Sequence, residues 1–396
     1  MTSASPDRRA GRIRMIPPTV FAEFSALAAR TGAINLGQGF PDTDGPSSVI
    51  ERAADALRGT ATTPSSNQYA PGAGTIGLRR AVAEHQRRHY GIALDPETEV
   101  VITTGCTEGI AASLLGLVDP GDEVIVLEPY YDSYVAMLEM CSAVRVPVPL
   151  RAPDFRLDVA QLRAAISPRA TAILLNTPHN PTGSVLSAEE LRAVADLAIA
   201  HDLVVISDEV YEHLVFDTAQ HIPIATLPGM FERTVTLSSV GKSWSLTGWK
   251  VGWASGPEDL VAAVTGAKQW LTYTSGAPFQ PAVQYALDHE PDWPHAMAAQ
   301  LQARRDLLCD GLREAGLDPY RPQGTYFTLT DVSRLGWVDG RDFCLALPQR
   351  AGVVAIPAQG FYDSDAGRHL VRWAFCKQPD VLREATARLA EADLGA

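Results

Sequence analysis

Leu203-Val204-Val205-Ile206-Ser207-Asp208-Glu209-Val210-Tyr211 is an apolar run that stops on a carboxylate. Such a run predicts a strand over 203–207 that is buried on both faces. A helical pattern precedes it over 187–201, opened by Ser187 with Glu190 three residues later, the spacing of a capping box. Strands are predicted on either side, at 172–176 and 234–237. Upstream the alternation continues: a strand at 100–104, a helix at 108–118 and a strand at 123–127. Strands that alternate with helices imply an α/β fold, a mostly parallel sheet covered by helices on both faces. The C-terminal part changes character. A long helix is expected over 293–315, short strands at 324–329, 353–356 and 369–375, and a closing helix at 380–392. This α+β pattern suggests a second, smaller domain after about residue 288.

The chain has 396 residues, of which 46% are hydrophobic and 20% charged, with a formal net charge of -13. That acidic balance argues against a nucleic-acid or membrane-surface binder and for a soluble cytoplasmic protein. No stretch approaches the roughly 20 apolar residues of a membrane span. Arg8, Arg9, Arg12 and Arg14 crowd the N-terminus, but no apolar h-region follows, so no signal peptide is expected. The five cysteines (Cys106, Cys141, Cys309, Cys344 and Cys376) form no CxxC pair. Neither a disulfide framework nor a metal site is expected from them.

Several short motifs sit where chemistry is done. Gly72-Ala73-Gly74-Thr75-Ile76-Gly77 matches GxGxxG ahead of a predicted helix at 78–90. A dinucleotide fingerprint needs a strand just before it, and Ser65-Ser66-Asn67-Gln68-Tyr69-Ala70-Pro71 is turn chemistry. Thr103-Thr104-Gly105-Cys106-Thr107-Glu108 lies at a strand-to-helix junction, where bare N–H groups favour an anion, although many such loops bind nothing. Asn176-Thr177-Pro178-His179-Asn180-Pro181-Thr182-Gly183 is either an ordinary tight turn or a rigid amide placed at the carboxyl end of a strand, where open α/β sheets bind ligands. Asp208 is either a helix N-cap or the counter-ion of a cationic ring nitrogen, with the Tyr211 hydroxyl nearby. Arg372, in His369-Leu370-Val371-Arg372-Trp373-Ala374-Phe375, is either in a structural salt bridge or a bidentate clamp for a carboxylate ligand. Lys242 stands in Ser239-Val240-Gly241-Lys242-Ser243-Trp244-Ser245-Leu246-Thr247-Gly248-Trp249-Lys250. A lysine amine of pKa about 10.4 becomes a useful nucleophile when apolar walls and a second cation lower that value. The alternative is a solvated lysine in a Gly/Ser loop.

In this order the motifs resemble those of the class I/II aminotransferases, pyridoxal-phosphate enzymes of fold type I. The resemblance runs over nearly the whole chain. It includes Asn35-Leu36-Gly37-Gln38-Gly39-Phe40-Pro41-Asp42, Asn67-Gln68-Tyr69 and Glu128-Pro129-Tyr130-Tyr131-Asp132-Ser133-Tyr134. Within the family the chain is similar to kynurenine, glutamine and methionine aminotransferases and to actinobacterial N-succinyldiaminopimelate aminotransferases.

The resemblance implies a large domain (45–288) built on a seven-stranded, mostly parallel sheet, a small C-terminal domain (289–396), and an N-terminal segment (1–44) that joins the small domain. It implies pyridoxal 5′-phosphate as cofactor. Lys242 would attach it covalently and shuttle a proton at the substrate Cα. Asp208 would pair with the ring nitrogen, Asn180 and Tyr211 would bond the ring's phenolic oxygen, and Tyr131 would stack on the ring. The phosphate would rest on Gly105, Cys106 and Thr107 with Ser239 and Lys250, and on Tyr69 of a second subunit. Arg372, Gly39 and Asn180 would hold the substrate, with Tyr273 donated across the dimer. The substrates would be an L-amino acid and a 2-oxo acid, used in a ping-pong path by a homodimer with shared sites.

Four departures from the family pattern stand out. Tyr131 replaces a usual phenylalanine and Lys250 a frequent arginine. The loop at 60–66 is longer than in similar chains, and Trp244-Ser245-Leu246 replaces an aromatic-Ser-Ala triplet. Two other outcomes stay open at this point. The same scaffold supports β- or γ-elimination or replacement, and a regulator can use it to bind an effector. About 34 residues precede Asn35-Leu36-Gly37, too few for a three-helix DNA reader.

Overall fold

A computed structural model describes residues 7–16, 19–61 and 64–396. The first eight strands are β1 (Ile34–Asn35), β2 (Val100–Thr103), β3 (Glu123–Glu128), β4 (Val144–Pro149), β5 (Ala170–Asn176), β6 (Val204–Asp208), β7 (Thr234–Ser239) and β8 (Gly252–Ser255). Seven of them form one sheet in the order β2-β8-β7-β6-β5-β3-β4. β8 runs antiparallel to both neighbours, and the other pairings are parallel. The run that begins at Leu203 lies at the centre of this sheet. Alternate side chains leave it on opposite faces. Ile125, Leu127, Ile173, Leu175 and Val205 enter one core, while Val124, Val126, Ala172, Leu174 and Ile206 enter another. Both faces are therefore dry, as the uninterrupted apolar runs require.

The covering helices form where propensity, capping and an apolar stripe agree. In the helix Ala188–Ala200, the Ser187 hydroxyl accepts the Glu190 N–H at 3.2 Å and the Glu190 carboxylate accepts the Ser187 N–H at 2.7 Å. Leu191, Val194, Ala195 and Ala198 form its buried stripe. Loss of the Ser187 cap is expected to cost about 1 kcal/mol. Glu190 also pairs with Arg156, so the cap is tied to a neighbouring loop.

Five further strands follow: β9 (Pro319–Tyr320), β10 (Phe327–Asp331), β11 (Val353–Val354), β12 (Ile356–Pro357) and β13 (Leu370–Ala374). Four of these form an antiparallel sheet in the order β12-β13-β10-β9. β11 pairs in parallel with β1. The helix Trp293–Glu314 and the closing helix Pro379–Glu391 pack on one another beside this sheet.

Some expected boundaries move. The strand foreseen at 324–329 begins at Phe327, because Thr325 takes a left-handed φ of 67° and Gly324 forms an isolated bridge with Val215. The strand foreseen at 353–356 is divided between two partners, β1 and β13. The helix foreseen from 108 starts at Gly105. The helix after the GxGxxG motif begins at Ile76, and no strand stands directly ahead of the motif, which removes the dinucleotide reading. Of the loop at 60–66, residues 62–63 lie outside the described residues.

Candidate active site

The carboxyl ends of β2, β3, β5, β6 and β7 all open on one cavity of about 230 Å³. Each strand end delivers one part of its wall. Gly105, Cys106 and Thr107 follow β2, Tyr131 follows β3, and Asn180 follows β5. Asp208 and Tyr211 come from β6, Ser239 and Lys242 from β7, and Lys250 from the segment before β8. Gly39 and Arg372 close the opposite side. Of the residues singled out from sequence, Tyr69 and Tyr273 do not line it. They lie exposed, with ring centroids 5.4 Å apart.

Asp208 is the last residue of β6 and is buried. No helix follows it, so it is not an N-cap. Its carboxylate accepts the Tyr134 hydroxyl at 2.6 Å, the Cys106 thiol at 3.2 Å and the Val210 N–H at 3.2 Å. Burial raises its pKa above the ordinary aspartate value, and these three donors oppose the rise. Burial also pushes the Cys106 thiol well up, so it acts as a neutral donor. Tyr134, the last residue of the Glu128–Tyr134 motif, makes the shortest of these bonds to Asp208.

Lys242 sits in the four-residue helix Val240–Ser243. Burial holds its amine below the usual lysine range, Lys250 pushes in the same direction, and Asp208 opposes. Its Nζ lies 5.9 Å from the Tyr211 ring centroid and 5.8 Å from that of Tyr326. A solvated loop lysine is thereby excluded. Tyr326 donates its hydroxyl to the Gly39 carbonyl at 2.6 Å, which ties the mouth loop to the wall behind the lysine.

Gly105 has a φ of 71°, and a Cβ there would stand 3.3 Å from the Lys250 amine. A Cβ on Gly252 would meet the Gly105 carbonyl carbon at 2.8 Å and the Cys106 nitrogen at 3.0 Å. β8 is thus packed directly against the start of the helix Gly105–Leu117. Cys106 and Thr107 are in the first turn of that helix, where N–H groups have no intrahelical acceptor. Those N–H groups, the macrodipole and the Lys250 ammonium together form a cradle for an anion.

Arg372 lies in β13 and is 1% exposed. It donates to Asn180 Oδ1 at 3.1 Å and to the Gly37 carbonyl at 3.0 Å, while its Nε has no partner. Its guanidinium stands 4.0 Å from the Phe327 ring centroid and 4.8 Å from that of Phe21. Among the described residues no carboxylate forms an ion pair with it. The structural salt-bridge reading falls. Asn176 prepares the turn that brings Asn180 to Arg372, accepting the Asn180 N–H at 2.9 Å and donating to the Asp208 carbonyl at 2.9 Å.

A half-buried lysine, a buried aspartate, an anion cradle and a buried guanidinium that pairs with no carboxylate among the described residues thus share one cavity. The model of the family "Aminotransferase class I and II" matches residues 31–389. The chain belongs to this family. It is 54% identical to the probable N-succinyldiaminopimelate aminotransferase of Mycobacterium tuberculosis, over 96% of this chain and 97% of that one. It is 38% identical to mouse kynurenine–oxoglutarate transaminase 3, over 96% of this chain and 89% of the relative. The solved structure of the M. tuberculosis N-succinyldiaminopimelate aminotransferase superposes with a TM-score of 0.93, covering 96% of this chain and 99% of that one. The fold is that of the fold type I aminotransferases, and the activity is that of an aminotransferase. Enzymes of this family work with pyridoxal phosphate on amino acids and 2-oxo acids. Among the described residues no helix is long and apolar enough to cross a membrane.

Proposed function

We propose that this aminotransferase binds pyridoxal 5′-phosphate in the cavity and moves an amino group from an L-amino acid to a 2-oxo acid by a ping-pong path. The observation that carries the reading is Arg372, a buried cation without a carboxylate partner in the cavity that holds Lys242 and Asp208. The donor set fits the cofactor: an anion cradle at Gly105, Cys106, Thr107, Ser239 and Lys250 for the phosphate, and a carboxylate for a ring nitrogen. The crowding at Gly105 and Gly252 supports the cradle, since any side chain there would fill it or push the helix start away.

When bound, the cofactor supplies an aldehyde that takes up the amino group and a ring that draws the electron pair from the substrate Cα. The chain's residues do the rest. Asp208 keeps a proton on the ring nitrogen, and Tyr134 and Cys106 hold its carboxylate in place. Asn180 gives its Oδ1 to Arg372, which leaves its amide N–H for the ring's phenolic oxygen, beside the Tyr211 hydroxyl. Tyr131, which lines the cavity, would cover the ring face. Arg372 binds the α-carboxylate as a fork, with the backbone at Gly39 beside it. Lys242, held by burial below the ordinary lysine range, would hold the cofactor and move the proton at the substrate Cα.

The exposure of Tyr69 and Tyr273, which do not line the cavity of their own chain, supports a homodimer in which these residues serve the partner's site. The pairing of β1 with β11 supports grouping 1–44 with a small domain at 289–396, apart from a large one at 45–288. The absence of a spanning helix among the described residues is compatible with a cytoplasmic enzyme. The 54% relative makes N-succinyldiaminopimelate the first amino donor to try, with kynurenine and methionine as comparators. In the test, the cofactor-loaded protein is mixed with each donor. Its visible absorption band is expected to disappear with the preferred donor and return with a 2-oxo acid. Ammonia released without an acceptor (with pyruvate when a cysteine conjugate is added as a further donor), or turnover by a Lys242→Ala variant, would sink the proposal.

A further inference from the structure

Behind the active site, on the side away from the cavity, four histidines meet. His85 and His89 are one turn apart on the helix Ile76–Tyr90, so both rings leave the same face. Their centroids are 4.5 Å apart. His213 comes from the segment after β6, and its ring lies 5.0 Å from that of His85 and 4.9 Å from that of His89. One nitrogen from each of the three lies within 4.8 Å of the other two. His295, exposed at the edge, has its ring 6.3 Å from both His89 and His213. His85 and His213 are buried, and His89 is half-buried.

We propose that His85, His89 and His213, with the carboxylate of Glu212, form a binding site for one zinc-type divalent transition ion. The distances suit such an ion. Two nitrogens each about 2.0–2.1 Å from a tetrahedral zinc lie about 3.3 Å apart. The His85 and His213 Nε2 atoms are 3.2 Å apart, and Glu212 Oε2 lies 3.6 Å from the first and 4.0 Å from the second. Helical histidines at this spacing are a recognised chelating pair. Imidazole and carboxylate donors select zinc, cobalt, nickel or copper over magnesium and calcium, which prefer all-oxygen shells.

Charge points the same way. Glu212 is buried, and among the described residues its ion-pair partners are these two imidazoles alone. A divalent ion would supply the charge that the carboxylate lacks. The outer layer is also in place. Tyr90 donates to Glu212 Oε2 at 2.6 Å and Ser238 to Oε1 at 2.5 Å, the kind of bonds that orient a ligating carboxylate. Cysteine spacing gives no hint of this site, because it contains no cysteine.

An ion here would tie the helix Ile76–Tyr90 to the segment that carries Asp208 and Tyr211. Ser238 precedes Ser239, and Trp244, two residues beyond Lys242, packs 6.0 Å from His85 and 5.7 Å from His213. The three histidines do not line the active-site cavity, so the role is to brace its back wall.

The test uses tag-free protein loaded with pyridoxal phosphate, so that the active site is filled. Zinc is added, excess is dialysed away, and bound metal is counted by mass spectrometry of the acid digest. One zinc per chain is expected for the wild type, with no retention of magnesium. Cobalt in place of zinc should give the visible band of a tetrahedral N/O site. His213→Gln should abolish retention, as should His89→Gln at the half-buried helix end, where folding is least at risk. Tyr90→Phe should weaken zinc binding about 10- to 100-fold. Wild-type protein that keeps no zinc above buffer, or a folded His89→Gln variant that keeps as much as wild type, overturns the proposal. In that case the close nitrogens are an N–H···N hydrogen bond.

Discussion

Replacing Arg372 tests the substrate clamp most directly. Its Nη1 and Nη2 already donate to Asn180 and Gly37, its Nε is unpartnered, and aromatic rings close around it. Burial lowers its pKa to about 10, which still leaves it protonated at neutral pH. A bound α-carboxylate would therefore gain charge-assisted hydrogen bonds worth about 1.5–3 kcal/mol each. Arg372→Lys keeps the charge and loses the fork. With one such bond gone, kcat/KM for the amino donor should fall by about 10- to 150-fold. Arg372→Ala leaves the carboxylate buried and unpaired, a loss of about 3–5 kcal/mol, or roughly 10²- to several 10³-fold. The assay is the rate of loss of the cofactor band in single turnover, measured for an amino acid and for the amine that lacks its carboxylate. The variants should slow the amino acid by these factors and leave the amine, already slow with wild type, unchanged. An equal loss for both substrates, in a variant that folds and holds cofactor, would show that Arg372 supports the cavity and does not bind the carboxylate.

Tyr134→Phe removes the 2.6 Å bond to Asp208. The carboxylate's pKa, already raised by burial, should rise further, so the acid limb of the kcat/KM profile should move to higher pH with every donor. His179 is buried, its Nδ1 lies 2.7 Å from the Thr182 hydroxyl, and burial lowers its pKa to about 4. The unfolded chain binds a proton from about pH 6.5 downward while the folded chain resists until about 4, so stability falls as pH falls through that window. This histidine should account for about 2 kcal/mol between pH 7 and pH 5, and urea unfolding of His179→Gln should show a correspondingly smaller acid loss. Mixing Tyr69→Ala and Lys242→Ala proteins under conditions of subunit exchange should restore activity beyond either alone, because each hybrid dimer holds one complete site. No gain on verified exchange would place Tyr69 outside the partner's site.

Much of the fold was legible because buried parallel strands carry their own signature. The apolar runs ending at Thr103, Glu128, Asn176, Asp208 and Ser239 all stop where the chain turns to polar residues, and those turns form the cavity. Legibility failed where pairing, and not composition, decides the element. Residues 353–357 are one apolar run, yet Val353–Val354 joins β1 and Ile356–Pro357 joins β13. Gly324 and Thr325 look like the start of a strand, but their backbone is committed to a bridge and a left-handed turn. The start of the helix at Gly105 was missed because its first turn is small and polar, and only the later residues show the apolar stripe.

The segment after β6 shows why one part of the site could be read and another could not. Asp208 and Tyr211 face the cavity, and each announces itself: a carboxylate at the end of a buried strand, and a phenol just beyond it. Glu212 and His213 follow directly but face the other way, toward the helix Ile76–Tyr90. Their partners are distant in sequence, His85 by 128 residues from His213 and Tyr90 by 122 from Glu212. Nothing in the local sequence marks these two residues as functional. The pair His85 and His89 was visible at helical spacing, but two histidines on a surface helix have no meaning without a third. Only the turn of the chain after Tyr211 supplies it. The same tight turn that delivers the Asp208 carboxylate to the cavity thereby delivers a carboxylate and an imidazole to the other side, and a perturbation behind the wall should be felt at Asp208 and Tyr211 through four residues of backbone.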